Sequence, residues 1–142
     1  MFTFHHCALS VRDLDTSINF YRCFGFQPAV IWESPDGTLR IAHLKLGENG
    51  AILELFGYKS NVAAPREILS PGNDLERVGV KHLGLQVSSL TEAKKFLADR
   101  DLPQGTDITH GRTGIDYFFV QDPDGLWLEI VEDHRTLSIL DL

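Results

Sequence analysis

The chain repeats itself, and the repeat carries polar residues with it. Shifted by 76 positions, His6 falls on His82, Leu9 on Leu85, Val11 on Val87, Leu14 on Leu90 and Phe20 on Phe96. Near the end of each half the offset becomes 75, which lays Gly50 on Gly125, Leu53 on Leu128, Glu54 on Glu129 and Leu55 on Ile130. Matching apolar residues alone would report only duplicated packing. Two histidines and two glutamates recurring inside otherwise apolar strands are a different matter. A buried charge is stable only when it is paired or bound to a metal.

Each half reads as β-α-β-β-β. From Thr3 to Val11, His6, Ala8 and Ser10 alternate with Cys7, Leu9 and Val11, the period of a half-buried strand. A helix follows, capped by Asp13 or Asp15, with Ile18, Phe20, Tyr21 and Phe24 as its apolar stripe and Gly25 at its C-terminus. Three strands are expected next, Gln27 to Glu33, Thr38 to Leu46 and Ala51 to Phe56. The second half replays the order. Strand His82 to Val87 leads through the capping-box pattern Ser89-Leu90-Thr91-Glu92 into a helix with Ala93, Phe96 and Leu97. After Pro103 comes a less regular stretch to Gly114, then strand Ile115 to Gln121, the turn Asp122-Pro123-Asp124-Gly125, and strand Leu126 to Glu132. The implied organisation is a first module over 1–57, a linker over 58–80, a second module over 81–134 and a tail over 135–142. So long a linker can wrap the sheet, cover a site or permit an exchange between subunits.

Composition narrows the function classes. A net charge of −7 without a Lys/Arg cluster argues against nucleic acid and anionic membrane surfaces, leaving a small-molecule substrate or a protein partner. No segment approaches the roughly 18 apolar residues of a membrane span. The N-terminus lacks a secretory pattern, so a cytoplasmic location is expected, with Cys7 and Cys23 as reduced core residues.

In a strand every second residue shares a face, so parity can be tested. Leu83, Leu85 and Val87 oppose His82, Gly84 and Gln86, while Leu126, Leu128 and Ile130 oppose Trp127, Glu129 and Val131. Leu53 and Leu55 likewise oppose Ile52, Glu54 and Phe56. The helices must cover the aliphatic face, leaving His6, Glu54, His82 and Glu129 on the other. Two imidazoles and two carboxylates suit one divalent metal ion per site, and the absence of thiolates favours a site that keeps water or substrate positions over a structural zinc. Spacing does not choose among Zn, Ni, Co, Mn and Fe. The bland alternative is a solvated sheet face, where glutamates are common; the large apolar neighbours of Glu54 and Glu129 count against it. His5, His110 and His134 read as core or surface residues. His43 reads as a contact to the substrate or to a ligand.

The strings His6-Cys7-Ala8-Leu9-Ser10-Val11-Arg12-Asp13, Phe20-Tyr21-Arg22-Cys23-Phe24-Gly25-Phe26, Leu53-Glu54-Leu55-Phe56, His82-Leu83-Gly84-Leu85-Gln86-Val87 and Asp122-Pro123-Asp124-Gly125-Leu126-Trp127-Leu128-Glu129 resemble the vicinal oxygen chelate superfamily. That superfamily contains glyoxalase I, bleomycin-resistance proteins and extradiol dioxygenases. The resemblance implies an α+β fold, with two β-α-β-β-β modules forming a curled eight-stranded mixed sheet around a cavity and helices outside. It implies a homodimer, with each site built within one chain or across exchanged halves. A His, Glu, His, Glu set is similar to that of bacterial glyoxalase I, so His6, Glu54, His82 and Glu129 are the implied metal ligands. The implied reaction is a lyase or isomerase step. A carboxylate, Glu129 before Glu54, removes a proton alpha to a carbonyl, and the metal stabilises the enediolate.

The chain departs from glyoxalase I where glutathione is held. The family's arginine four residues after the first ligand is Ser10, and its asparagine four residues after the second is Tyr58. The expected substrate contacts are Ser10, His43, Ile52, Phe56, Gln86, Tyr117, Phe119 and Trp127, an aromatic set suited to a more hydrophobic substrate. The alternatives within the superfamily are an extradiol-type dioxygenase and a protein that sequesters an antibiotic without chemistry.

Overall fold

The computed structural model describes residues 3–48, 50–61, 75–76 and 78–140. The expected linker, 58–80, lies for the most part outside them. The chain divides into two compact units, Met1–Arg66 and Glu67–Leu142. Each is a β-α-β-β-β unit with one four-stranded mixed sheet.

In the first unit, β1 (His6–Val11), α1 (Leu14–Cys23), β2 (Phe26–Glu33), β3 (Leu39–Leu46) and β4 (Ile52–Tyr58) form a sheet ordered β1-β4-β3-β2. β1 runs parallel to β4, and β3 is antiparallel to both β4 and β2. Asp13 caps α1, its carboxylate accepting the Thr16 amide at 2.7 Å, and hydrogen bonding by the Thr16 side chain and amide holds its carboxyl below the usual range. Gly25 takes φ +94 just beyond the helix, a conformation that favours glycine. Leu14, Ile18 and Tyr21 of α1 are buried with Ala42, Leu44, Leu53 and Leu55 of the sheet. Phe20 and Phe24 are only half-buried, their rings 5.1 Å apart. Arg40 of β3 ties α1 to the sheet by donating to both Asp15 oxygens, at 2.8 and 3.0 Å.

In the second unit, β5 (His82–Val87), α2 (Leu90–Ala98), β6 (Thr109–His110), β7 (Asp116–Gln121) and β8 (Trp127–Glu132) form a sheet ordered β5-β8-β7-β6. Ser89 caps α2, as its capping-box pattern predicts, by accepting the Glu92 amide. Leu90 and Leu97 are buried with Phe118, Val120, Leu128 and Ile130. Phe96, expected in the apolar stripe, lies instead on the exposed side, with the Arg100 guanidinium 3.8 Å above its ring. The stretch after Pro103 is not wholly irregular. It contains β6, two exposed residues that pair with Tyr117 and Asp116 and carry no apolar alternation to announce a strand. The turn at 122–125 forms as expected, Asp122 Oδ1 accepting the amides of Asp124 and Leu126.

Cys7 and Cys23 are free and half-buried. Among the described residues no helix is long and apolar enough to cross a membrane.

Candidate metal centre

In both sheets the face away from the helix carries the polar residues. Residues directly opposed across a strand pair share a face, so the register builds the site row by row. In the first unit one row is Ala8, Glu54, His43 and Val30; the next is Ser10, Phe56, Ile41 and Trp32. His6 and Ile52 begin a third row with Lys45. The second unit gives Gly84, Glu129 and Phe119, flanked by His82, Trp127 and Gln121 on one side and Gln86, Val131 and Tyr117 on the other.

Each histidine reaches the glutamate of the neighbouring parallel strand diagonally. His6 Nε2 lies 3.7 Å from Glu54 Oε2, and His82 Nε2 lies 3.2 Å from Glu129 Oε2. The residue beside each glutamate is small, Ala8 in one unit and Gly84 in the other, and a Cβ at Gly84 would still stand 4.0 Å from Glu129 Oε2. Room is therefore left over the carboxylates. The glutamates are the less exposed partners, with side-chain exposures of 20% for Glu54 and 16% for Glu129.

The spacing fits a shared cation. Imidazole nitrogens and carboxylate oxygens bind such ions at about 2.0–2.2 Å, so neighbouring donors in one shell stand roughly 3 to 3.5 Å apart. Both pairs fall near that spacing. Among the described residues no group of three or more His, Cys, Asp or Glu side chains is placed to hold an ion by itself.

The expected contact residues fall on the same faces. In the first unit Ser10, His43, Ile52 and Phe56 share the side of His6 and Glu54. In the second, Gln86, Tyr117, Phe119 and Trp127 share the side of His82 and Glu129. The aromatic residues of the second unit form a linked wall. Phe119 meets Tyr117, Trp127 and the His82 ring edge-on, with centroids 5.4, 6.0 and 5.3 Å apart. Gln86 donates its amide to the Asp133 carbonyl at 3.1 Å, which turns that group toward the chain's own backbone.

Three features lay beyond sequence reasoning. His5 Nδ1 stands 2.9 Å from His6 Nδ1, a contact between neighbours that parity would send to opposite faces. Val30 and Trp32 join the site face of β2 beyond an irregularity between Pro28 and Val30, which breaks simple alternation. Thr106 pins the Phe119 backbone on both sides, its amide donating to the Phe119 carbonyl at 2.8 Å and its hydroxyl accepting the Phe119 amide at 3.0 Å. That loop is itself tied down by Lys94, which donates to the carbonyls of Gln104 and Thr106; burial pushes the Lys94 ammonium below its usual pKa.

The two β-α-β-β-β units define a two-module α+β protein, and a family model says to which superfamily it belongs. The Glyoxalase/Bleomycin resistance protein/Dioxygenase superfamily model matches residues 3–130, and the chain belongs to that superfamily. The lactoylglutathione lyase of Schizosaccharomyces pombe is 27% identical over 137 residues, covering 92% of this chain but 45% of that protein, so the chain spans about half the enzyme's length. The uncharacterized protein YwkD of Bacillus subtilis is 32% identical over 130 residues, with 90% of this chain and 94% of that one covered. Among solved structures, a glyoxalase family protein from Enterococcus faecalis superposes with a TM-score of 0.75 at 28% identity, over 92% of this chain and 97% of that one.

Proposed function

We propose that the chain is a metal-dependent lyase or isomerase of the glyoxalase I type, acting on a small molecule that carries a proton alpha to a carbonyl. The observation that carries this reading is the recurrence of a His–Glu pair at donor spacing in each unit, 3.7 Å and 3.2 Å. Joining the pairs into one four-ligand set of His6, Glu54, His82 and Glu129 rests on membership of the superfamily. The set is completed within one chain or across a homodimer.

A bound divalent ion (Zn, Ni, Co, Mn or Fe) supplies Lewis-acid polarisation of the substrate's oxygens. The residues do the rest. Glu129, on a face lined by Trp127 and Phe119, accepts the alpha proton and returns it to the adjacent carbon. The aromatic wall excludes water and takes the apolar part of the substrate. Ser10 and the exposed Tyr58 supply no cation for a glutathione carboxylate, which favours a more hydrophobic substrate.

A second reading has one observation in its favour. The wall of Tyr117, Phe119 and Trp127 would also suit a protein that sequesters an aromatic antibiotic without chemistry. Metal analysis of untagged protein separates the two. About one divalent ion per chain, lost in E54Q and in E129Q, is the expected result. A wild type that stays empty after exposure to Zn, Ni, Co, Mn and Fe(II) overturns the enzyme reading.

A further inference from the structure

The two units differ in the residue that faces each glutamate across the antiparallel strand pair. Directly opposite Glu54, on β3, stands His43, with Nε2 2.9 Å from Glu54 Oε1. Directly opposite Glu129, on β7, stands Phe119. The surroundings of the two glutamates are otherwise alike: a small residue on the parallel neighbour strand and a histidine on the diagonal. One carboxylate therefore has a second polar partner at a place where the other has an aromatic ring.

The direction of the His43 contact follows from chemistry. An ionised carboxylate only accepts hydrogen bonds, so Nε2 of His43 carries the hydrogen and donates it to Oε1. The other oxygen, Oε2, is the one that faces His6. Glu54 is thus held by one oxygen while it presents the other. The histidine of this pair is also held from behind. For His6 Nε2 to offer its lone pair, Nδ1 must carry the hydrogen, and His5 Nδ1 at 2.9 Å can accept it.

A carboxylate that serves only as a ligand gains from such an anchor, because the orientation of its donor atom is fixed before the ion arrives.

We propose that His43 is a positioning residue that holds one oxygen of Glu54 and so fixes the other, Oε2, in place for the metal. The proposal rests on the reading of the His–Glu pairs as metal ligands. A plain sheet-face ion pair between His43 and Glu54 would instead contribute little and would not influence metal retention.

The test uses H43F, which places the second unit's residue in the first, H43A, which makes no packing demand, and H43Q, which keeps an N–H donor. Full-length protein is loaded with Zn or Ni, and release of the metal to an excess of chelator is followed. Loss of the donor in H43F and H43A is expected to weaken metal binding by about 10- to 100-fold, with H43Q much closer to wild type. Release from H43F and H43A at the wild-type rate overturns the role of His43 and leaves the metal centre standing. Equal weakening in H43Q and H43A also overturns it, since the donor would not be what matters. A wild type that takes up no metal overturns both this role and the function on which it rests.

Discussion

His82 and Glu129 meet across the parallel β5–β8 pair from positions two residues out of register, with Nε2 3.2 Å from Oε2. His6 and Glu54 meet with the same offset in the first unit. The same diagonal is therefore drawn twice, and it brings an imidazole and a carboxylate to donor spacing without either leaving its strand. Replacing Glu129 by Gln keeps the shape and removes the basic oxygen. E129Q is expected to remain folded by circular dichroism and to lose about 10²- to 10⁴-fold in kcat in a hemithioacetal or epimerase assay, the usual scale of a general base. Unchanged turnover would remove Glu129 from the proton path.

Glu132 closes β8 onto α2. The His134 imidazole, 2.8 Å from Oε1, and the Leu90 amide, donating to Oε2 at 2.8 Å, hold its carboxyl below the usual value of 4.5. A carboxyl depressed in the folded state stabilises fully above its unfolded value and loses that contribution as pH falls through the folded value. Thermal unfolding of wild type and E132Q should then differ most above about pH 5 and converge progressively as pH falls below 4.5 toward the folded value, since Gln mimics the protonated acid. A gap that widens in acid would contradict the assignment. At the same helix start, S89A removes the acceptor for the Glu92 amide and should cost about 1 kcal/mol in urea unfolding.

Much of this architecture can be read from the sequence because its signals have period two. The parity of Leu53, Glu54 and Leu55, or of Leu128, Glu129 and Ile130, settles which side chains face the helix, and burial follows it. Register is another matter. That His43 opposes Glu54 depends on how β3 and β4 are joined through residues 47–51, and no alternation encodes that pairing. The repeat requires β6, but its bounds cannot be read because two exposed residues have no pattern to show. Phe96 misled for a related reason, since an aromatic ring on a helix can be covered by a neighbouring arginine as well as by a core.

Gly105 supports the site from a distance. It takes φ +65, and a Cβ there would run into the Phe119 carbonyl, the group that also accepts the Thr106 amide. G105A must strain the backbone or push β7 away. The expected loss is about 1–3 kcal/mol of stability, read by urea unfolding, with a matching fall in activity because Phe119 opposes Glu129. Wild-type stability would show that the loop yields without cost.

Phe119 also separates substrate binding from metal binding. Its ring touches Tyr117, Trp127 and His82 edge-on, so it is the centre of the aromatic wall, yet it offers no donor to an ion. Its side is 8% exposed, which limits the water that a truncation would admit at the outset. F119A removes the central ring from between Tyr117 and Trp127. For an apolar substrate this should raise KM by about tenfold or more, on the scale of 1–3 kcal/mol for lost apolar contact in a binding pocket. Metal content should stay at the wild-type level, because His82 and Glu129 remain on their strands. The two measurements, KM and metal per chain, are made on the same preparation. A variant that loses metal while keeping KM would mean that the wall serves to hold His82 rather than the substrate.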